Sequence, residues 1–176
     1  MVYVTYGSFP DFLPNPSAAN VSGWASTVSN AVNNSISAAS FGRLLQIQHD
    51  LLEDGVPDAE TIIGTTMNFG LGPSGFLASA FWLLMPFSRG NVHIGSSNPL
   101  AYPRINPNYF LIDFDLEVQI AIAKWTRKLS ETEPLVGSVA EISPGFEVVP
   151  ENATDAVWGD WIKSSCMFLF VLAGVY

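Results

Sequence analysis

Cysteine is almost missing from these 176 residues: Cys166 stands alone, which excludes an internal disulfide framework and any multi-cysteine zinc site. Histidine occurs twice, at His49 and His93, far apart and without metal-ligand spacing, so no metal site is expected. Basic residues are also few, 7 against 16 acids for a net charge of −9, and no basic run exists; phosphate-driven nucleic-acid binding is not expected. The N-terminus lacks a basic and apolar leader pattern, so it does not read as a signal peptide. The strongest apolar run, Met167 to Tyr176, stops near half of the roughly 20 residues a membrane helix needs. What is present is a chain 48% hydrophobic and 13% charged, rich enough to build the core of one ordinary domain.

Residues 8–40 are low in charge and rich in Pro, Ser, Asn and Ala, and read as an ordered loop or linker punctuated by Pro10, Pro14 and Pro16. Phe41 to Leu52 has helical spacing, with Leu44, Leu45, Ile47, Leu51 and Leu52, closed by Gly55 and Pro57. Thr61-Ile62-Ile63 is strand-like. The apolar stretch from Phe76 to Phe87 predicts a buried strand, with Asn91 to Gly95 as its returning hairpin partner. Asp113 to Ser130 is the clearest helix: Val118, Ile122, Trp125 and Leu129 form one stripe, with acids in the first turns and Lys124, Arg127 and Lys128 towards the end. Leu135 to Pro150 reads as a Pro/Gly-punctuated connection, and Thr154 to Lys163 as the beginning of another helix.

Single motifs carry little chemistry. Gly70-Leu71-Gly72-Pro73-Ser74-Gly75 spells the dinucleotide pattern G-x-G-x-x-G, but no acid occurs between Glu60 and Asp113 to hold a ribose, and Pro73 removes a backbone donor from the cradle. It reads as a plain turn. His93, alternating with Val92 and Ile94, reads as a satisfied strand histidine, and His49 beside Asp50 as a helix-surface residue. Glu131 and Glu133 read as solvated, and Cys166, despite nearby Lys163, as a passive buried thiol. No serine sits in a nucleophile-elbow pattern. Asn20, Asn33 and Asn152 fit the N-glycosylation pattern, whereas Pro16 excludes Asn15; chance matches are expected in so Ser/Asn-rich a stretch, so their use stays open.

One long segment is more specific. It runs Pro86-Phe87-Ser88-Arg89-Gly90, Asn91-Val92-His93-Ile94, Asn98-Pro99, Tyr102-Pro103-Arg104-Ile105-Asn106-Pro107-Asn108-Tyr109-Phe110, then Asp113 and Asp115-Leu116. It resembles the signature opening the C-terminal region of the glucose-methanol-choline (GMC) flavin oxidoreductases, nearest to fungal glucose oxidase-like members. Weaker similarity reaches from about Phe12 to about Trp161. In physical terms, Arg89-Gly90 suits a tight hairpin corner with Gly90 free to take positive φ. Pro99, Pro103 and Pro107 fix an extended, edge-like path into the Asp113 helix.

The resemblance implies an α+β fold, an antiparallel sheet backed by helices, as part of a substrate-binding domain whose face roofs the flavin site. Residues 1–165 are expected to form that partial domain and 166–176 a divergent apolar tail. It further implies an FAD-dependent oxidation of alcohols or sugars by hydride transfer to flavin, in a secreted parent enzyme, with a possible homodimer. The family's βαβ cofactor unit and its catalytic histidine stretch, expected a few residues after Trp161, have no counterpart here, so no catalytic or cofactor-binding residue is assigned. The isolated chain is therefore expected to be inactive, to bind no FAD by itself, and to lack the FAD domain it serves. Trp82 matches an aromatic lining the sugar pocket of glucose oxidase-like members and Phe69 a second wall; core packing is the alternative for both. Two further readings stand beside this one: a secreted carbohydrate-binding domain with an aromatic platform, and a small protein tethered by its apolar tail.

Overall fold

In the computed structural model, residues 2–12, 20–64, 77–137 and 140–165 are described. The turn pattern at 70–75, Phe69, Cys166 and the apolar tail lie outside them. The elements run β1 (Val2–Gly7), α1 (Phe9–Phe12), α2 (Val21–Ala31), α3 (Ala38–Glu53), β2 (Ala59–Gly64), β3 (Ala78–Leu83), β4 (Asn91–His93), β5 (Arg104–Asn106), α4 (Asp113–Ser130) and α5 (Asp155–Ser165). This is an α+β arrangement with two antiparallel sheets, one ordered β1-β2-β3 and one made of β4 and β5. The chain divides into two compact units, Met1–Trp125 and Thr126–Tyr176.

In the first unit, helices form within residues 8–40, where low charge and the prolines point to a loop or linker. Within residues 8–40, α2 forms because Asn20 caps it, its Oδ1 accepting from Gly23 N–H at 2.9 Å, and because Val21, Trp24, Ala25, Val28 and Val32 recur on one side. Low charge and many serines concealed that stripe. The helix expected from Phe41 to Leu52 is α3, one turn longer at its start, where Ser37 caps it by accepting from Ser40 N–H at 3.1 Å. Gly55, at φ +77°, takes the chain out of it. Phe41, Leu45 and Leu52 of α3 join Val28 of α2, Ala59 of β2, and Phe114, Val118 and Ile122 of α4 in one core, against which Phe81 and Leu83 of β3 pack. Trp24 lies 4.8 Å from Phe87 and 5.2 Å from Phe114 between ring centroids, while Phe87 and Phe114 meet edge-on at 5.4 Å. Such ring pairs add about 0.5–1.5 kcal/mol each beyond area burial.

The expected pairing of the 76–87 strand with 91–95 does not occur. β3 pairs instead with β2, and β4 pairs with β5. Pro86 interrupts the donor ladder after β3, and the residues following it turn into a polar corner rather than a hairpin. β3 is also half-buried rather than fully buried. The helix at Asp113–Ser130 and the strand around Thr61–Ile63 form as expected.

The second unit is held by Arg127. Its guanidinium forks onto Glu141, Nε to Oε2 at 2.7 Å and Nη2 to Oε1 at 2.5 Å, and lies between the rings of Phe146 (4.9 Å) and Trp158 (4.3 Å). Glu141 also accepts from Gly145 N–H at 3.0 Å. Val149, Trp158 and Ile162 form its buried apolar centre. The connection from Leu135 to Pro150 has no regular element among its described residues, and the last helix is α5.

Candidate functional site

Strand alternation divides the β1-β2-β3 sheet into two faces. Phe81 and Leu83 turn into the core. Trp82 therefore belongs to the opposite face, where register sets it beside Glu60, and Glu60 beside Tyr6. Ala80, Ile62 and Val4 make the next row of the same face. Trp82, Glu60 and Ile62 are half-buried, while Tyr6 and Val4 are exposed. With strands about 4.8 Å apart, Tyr6 and Trp82 stand about 10 Å from each other across a carboxylate. An aromatic ring offers its face to C–H groups of a sugar or to an aryl ring, and a carboxylate accepts hydrogen bonds from hydroxyls. The row Tyr6–Glu60–Trp82 thus has the chemistry to hold a hydroxylated organic molecule. Only Trp82 was legible in advance; Glu60 and Tyr6 reach its side through strand pairing across long sequence separations.

The Pro86–Gly90 corner has a different character. Asp115, in the first turn of α4, is buried and accepts from Phe87 N–H at 2.7 Å, from Ser88 N–H at 2.8 Å and from the Ser88 hydroxyl. The Ser88 Oγ in turn accepts from Ile112 N–H at 3.0 Å. Arg89 donates to the carbonyls of Pro86 and Ser88 and, through Nη2, to Gln48 Oε1 at 2.7 Å; the Gln48 amide donates back to the carbonyls of Met85 and Pro86. Burial pushes the Asp115 carboxyl up, opposed by the hydrogen bonds from Ser88 and Phe87 and by Arg89. Burial likewise pulls the Arg89 guanidinium down, opposed by Asp115. Gly90 is not at positive φ, contrary to the sequence expectation. It is required because a Cβ there would fall 2.4 Å from the Asn106 carbonyl oxygen and 2.8 Å from Pro107 Cα. The Pro86–Gly90 corner is therefore an architectural knot in which Asp115, Ser88, Arg89 and Gln48 are tied to one another and to main chain.

Asp58, just before β2, is buried with its Oδ1 unpartnered. Its backbone bridges the strands on either side, N–H to the Gly7 carbonyl at 3.1 Å and carbonyl from Leu84 N–H at 2.6 Å. Desolvation pushes its carboxyl up to about 6, with Asp11 adding a smaller push and the Asp58 backbone N–H opposing.

The remaining nominated residues scatter. His93 is exposed on β4, not buried in a sheet, because its ribbon stands clear of the core. His49 is half-buried, its Nε2 3.9 Å from Glu53 rather than paired with Asp50. Ligand atoms of His49, Asp50 and Glu53 fall within 4.8 Å of one another, but the two acids are solvated and His49 Nδ1 is buried without the partner that orients a metal-bound imidazole. Glu131 and Glu133 are exposed. Asn33 and Asn152 are exposed in turns, and Asn20 is exposed at its cap. Phe69 and Cys166 lie outside the described residues. Among the described residues no helix is long and apolar enough to cross a membrane.

Comparison with known proteins gives this arrangement a family. Residues 86–169 match the family model described as GMC oxidoreductase. A glucose oxidase-like protein of Humicola fuscoatra is 33% identical over 162 residues, which cover 89% of this chain and 26% of that protein. Glucose oxidase of Penicillium chrysogenum is 34% identical over 127 residues, 67% of this chain and 19% of that enzyme. In fold, a fungal aryl-alcohol oxidase structure superposes with a TM-score of 0.65 over 90% of this chain and 26% of its own, at 23% identity. The chain belongs to the GMC oxidoreductases. It spans about a quarter of the length of its Humicola relative.

Proposed function

We propose that this chain is the substrate-facing part of an FAD-dependent oxidoreductase that oxidises the CH–OH group of an alcohol or sugar. The observation that carries this reading is the Tyr6–Glu60–Trp82 row on the solvent side of a sheet whose other side is packed on the core, in a chain of this family. Trp82 supplies an aromatic wall and Glu60 an acceptor for substrate hydroxyls; Phe69 is assigned as a second wall from the family resemblance alone. In the complete enzyme FAD accepts the hydride. Two features support assigning FAD to the rest of the enzyme: Arg89 is committed to carbonyls and Gln48, and the sheet face presents a carboxylate rather than the donors a pyrophosphate takes. The reading is therefore of a chain that shapes the cavity, contributes no catalytic base, binds no FAD alone and works with an FAD domain. An extracellular site of action and glycans on Asn20, Asn33 and Asn152 belong to the same reading, supported by the exposure of all three asparagines.

The test is a chimera in which this chain replaces the matched 162 residues of the Humicola relative, with that protein's sequence kept on both sides. Anaerobic flavin bleaching by a panel of sugars and aryl alcohols is expected, and Trp82→Ala should raise the half-saturating concentration about tenfold. A chimera that holds flavin but is bleached by no alcohol overturns the reading. The same aromatic row favours one second reading, a non-catalytic carbohydrate-binding face. Saturable quenching of tryptophan fluorescence by sugars in the isolated chain, lost in Trp82→Ala, would support it.

A further inference from the structure

Residues 147–160 carry four acids, Glu147, Glu151, Asp155 and Asp160, and no Lys or Arg, and all four acids are exposed. In this part of the second unit a groove of about 280 Å³ opens to solvent, lined by Val148, Val157, Asp160, Trp161 and Ser164. The last four come from α5 at positions i, i+3, i+4 and i+7, which share one face of a helix. The neighbouring face turns Trp158, Gly159 and Ile162 inward. Val148 comes from the turn before α5, where the N–H groups of Val148 and Val149 both donate to the Gly145 carbonyl, at 3.1 and 3.0 Å. That turn buries Val149 and leaves Val148 57% exposed. Trp161 is half-buried, its ring edge-on to Trp158 at 5.8 Å, and Trp158 is fixed in turn by the Arg127 guanidinium 4.3 Å above its ring. The groove therefore has a held aromatic ring and two valine walls, under an acidic rim.

Its polar side chains select what can enter. The Ser164 hydroxyl donates to the Trp161 carbonyl at 2.8 Å, which uses its one proton and leaves its lone pairs to accept. Asp160 enters no hydrogen bond or ion pair among the described residues, and Lys163, the one base of α5, does not close on it. Two acceptors, one of them a carboxylate, thus stand beside an indole ring. An ammonium group is attracted to both the carboxylate and the ring, a neutral hydroxyl gains a hydrogen bond alone, and an anion is repelled by the four acids. We propose that this groove binds a small organic cation, a protonated amine on a flat apolar body, with the body between Trp161 and the two valines and the ammonium on Asp160 and Ser164. The volume of about 280 Å³ falls just under the roughly 300–1,000 Å³ of sites for drug-sized ligands, so the occupant is one ring with a short chain, an arylalkylamine. The groove keeps this chemistry whatever the Tyr6–Glu60–Trp82 row binds.

The test titrates the 176-residue chain with phenethylammonium chloride, and in parallel with 2-phenylethanol, its neutral counterpart of the same shape, reading tryptophan fluorescence. The amine is expected to saturate at about millimolar concentration, as suits a ligand of this size. The alcohol should bind about fivefold more weakly, and high salt should weaken the amine alone. Asp160→Asn should weaken the amine about threefold and leave the alcohol unchanged, a selectivity change that a general loss of structure does not produce. Trp161→Ala should remove the saturable response to both, with circular dichroism checking that α5 is retained. The proposal is overturned if the amine gives no saturable response, if amine and alcohol bind alike, or if Asp160→Asn leaves the preference intact. It is overturned too if Trp82→Ala removes the amine response, which would put the amine on the sheet face. A dimer seen by light scattering that Trp161→Ala dissolves would make the groove an interface between copies and overturn it as well.

Discussion

Asp115 and Asp58 are both 2% exposed and both lie in the first compact unit, yet their surroundings treat them oppositely. Asp115 receives two backbone N–H groups and a hydroxyl, with Arg89 close by. Asp58 is held by its backbone, while one carboxylate oxygen has no partner. The first carboxylate organises a corner by gathering donors that would otherwise be buried and unpaired. The second is tolerated at a strand junction where only its main chain is used. Burial alone therefore does not make a carboxylate structural; the donors around it do.

That contrast can be broken at its stronger end first. Asp115→Ala strips the acceptor from the Phe87 and Ser88 N–H groups, and about 3–5 kcal/mol of stability should be lost. Asp115→Asn, which keeps one acceptor oxygen, should recover part of it. Urea denaturation at neutral pH measures both, and an alanine variant within about 1 kcal/mol of wild type would mean the corner does not depend on this carboxylate. Gly90→Ala should cost less, about 2–3 kcal/mol, because its Cβ meets rigid backbone at Asn106 and Pro107 rather than a movable side chain. The same titration reads it.

The weaker end gives the smallest effect and an opposite sign. Asp58 has a folded pKa of about 6 against an ordinary 3.8, so the stability linked to its neutral form is complete below about pH 4 and is lost as pH rises through 6. Asp58→Asn removes the ionisation. It should gain about 1–2 kcal/mol over wild type at pH 7, vanishing near pH 4. Asp115 is also raised by burial and contributes a slope of the same sign, which persists in the variant. Parallel pH–stability curves for the two proteins would contradict the assignment to Asp58.

The same contrast explains what could be read in the sequence. The helix at Asp113–Ser130 was plain because Val118, Ile122, Trp125 and Leu129 recur on one side and its charges match the dipole. The family signature was plain as a residue string, although the demands that Gly90 and Asp115 meet lie far along the chain, at Asn106–Pro107 and at Phe87–Ser88. The α2 helix was hidden, since its stripe is spread among serines and asparagines and its stability comes from Trp24 packing on Phe87 and Phe114. The partner of β3 is hidden for a related reason: nearness in sequence favours Asn91–Gly95, whereas Pro86 and the donors around Asp115 turn the chain away and β3 pairs with β2. Of the candidate face, Trp82 was legible through family resemblance. Glu60 and Tyr6 were not, because cross-strand neighbours are set by register rather than by any local pattern.

The corner also carries a rule for anyone recombining these proteins. The side chains that tie Pro86–Gly90 in place come from Gln48, Asn108 and Asp115, all on one stretch of the chain. A crossover placed between Gln48 and Asp115 would bring together halves of different ancestry and strand buried amides and a guanidinium without their mates. Breakpoints before α3 or after the first turns of α4 keep the set intact, so the segment is best inherited whole.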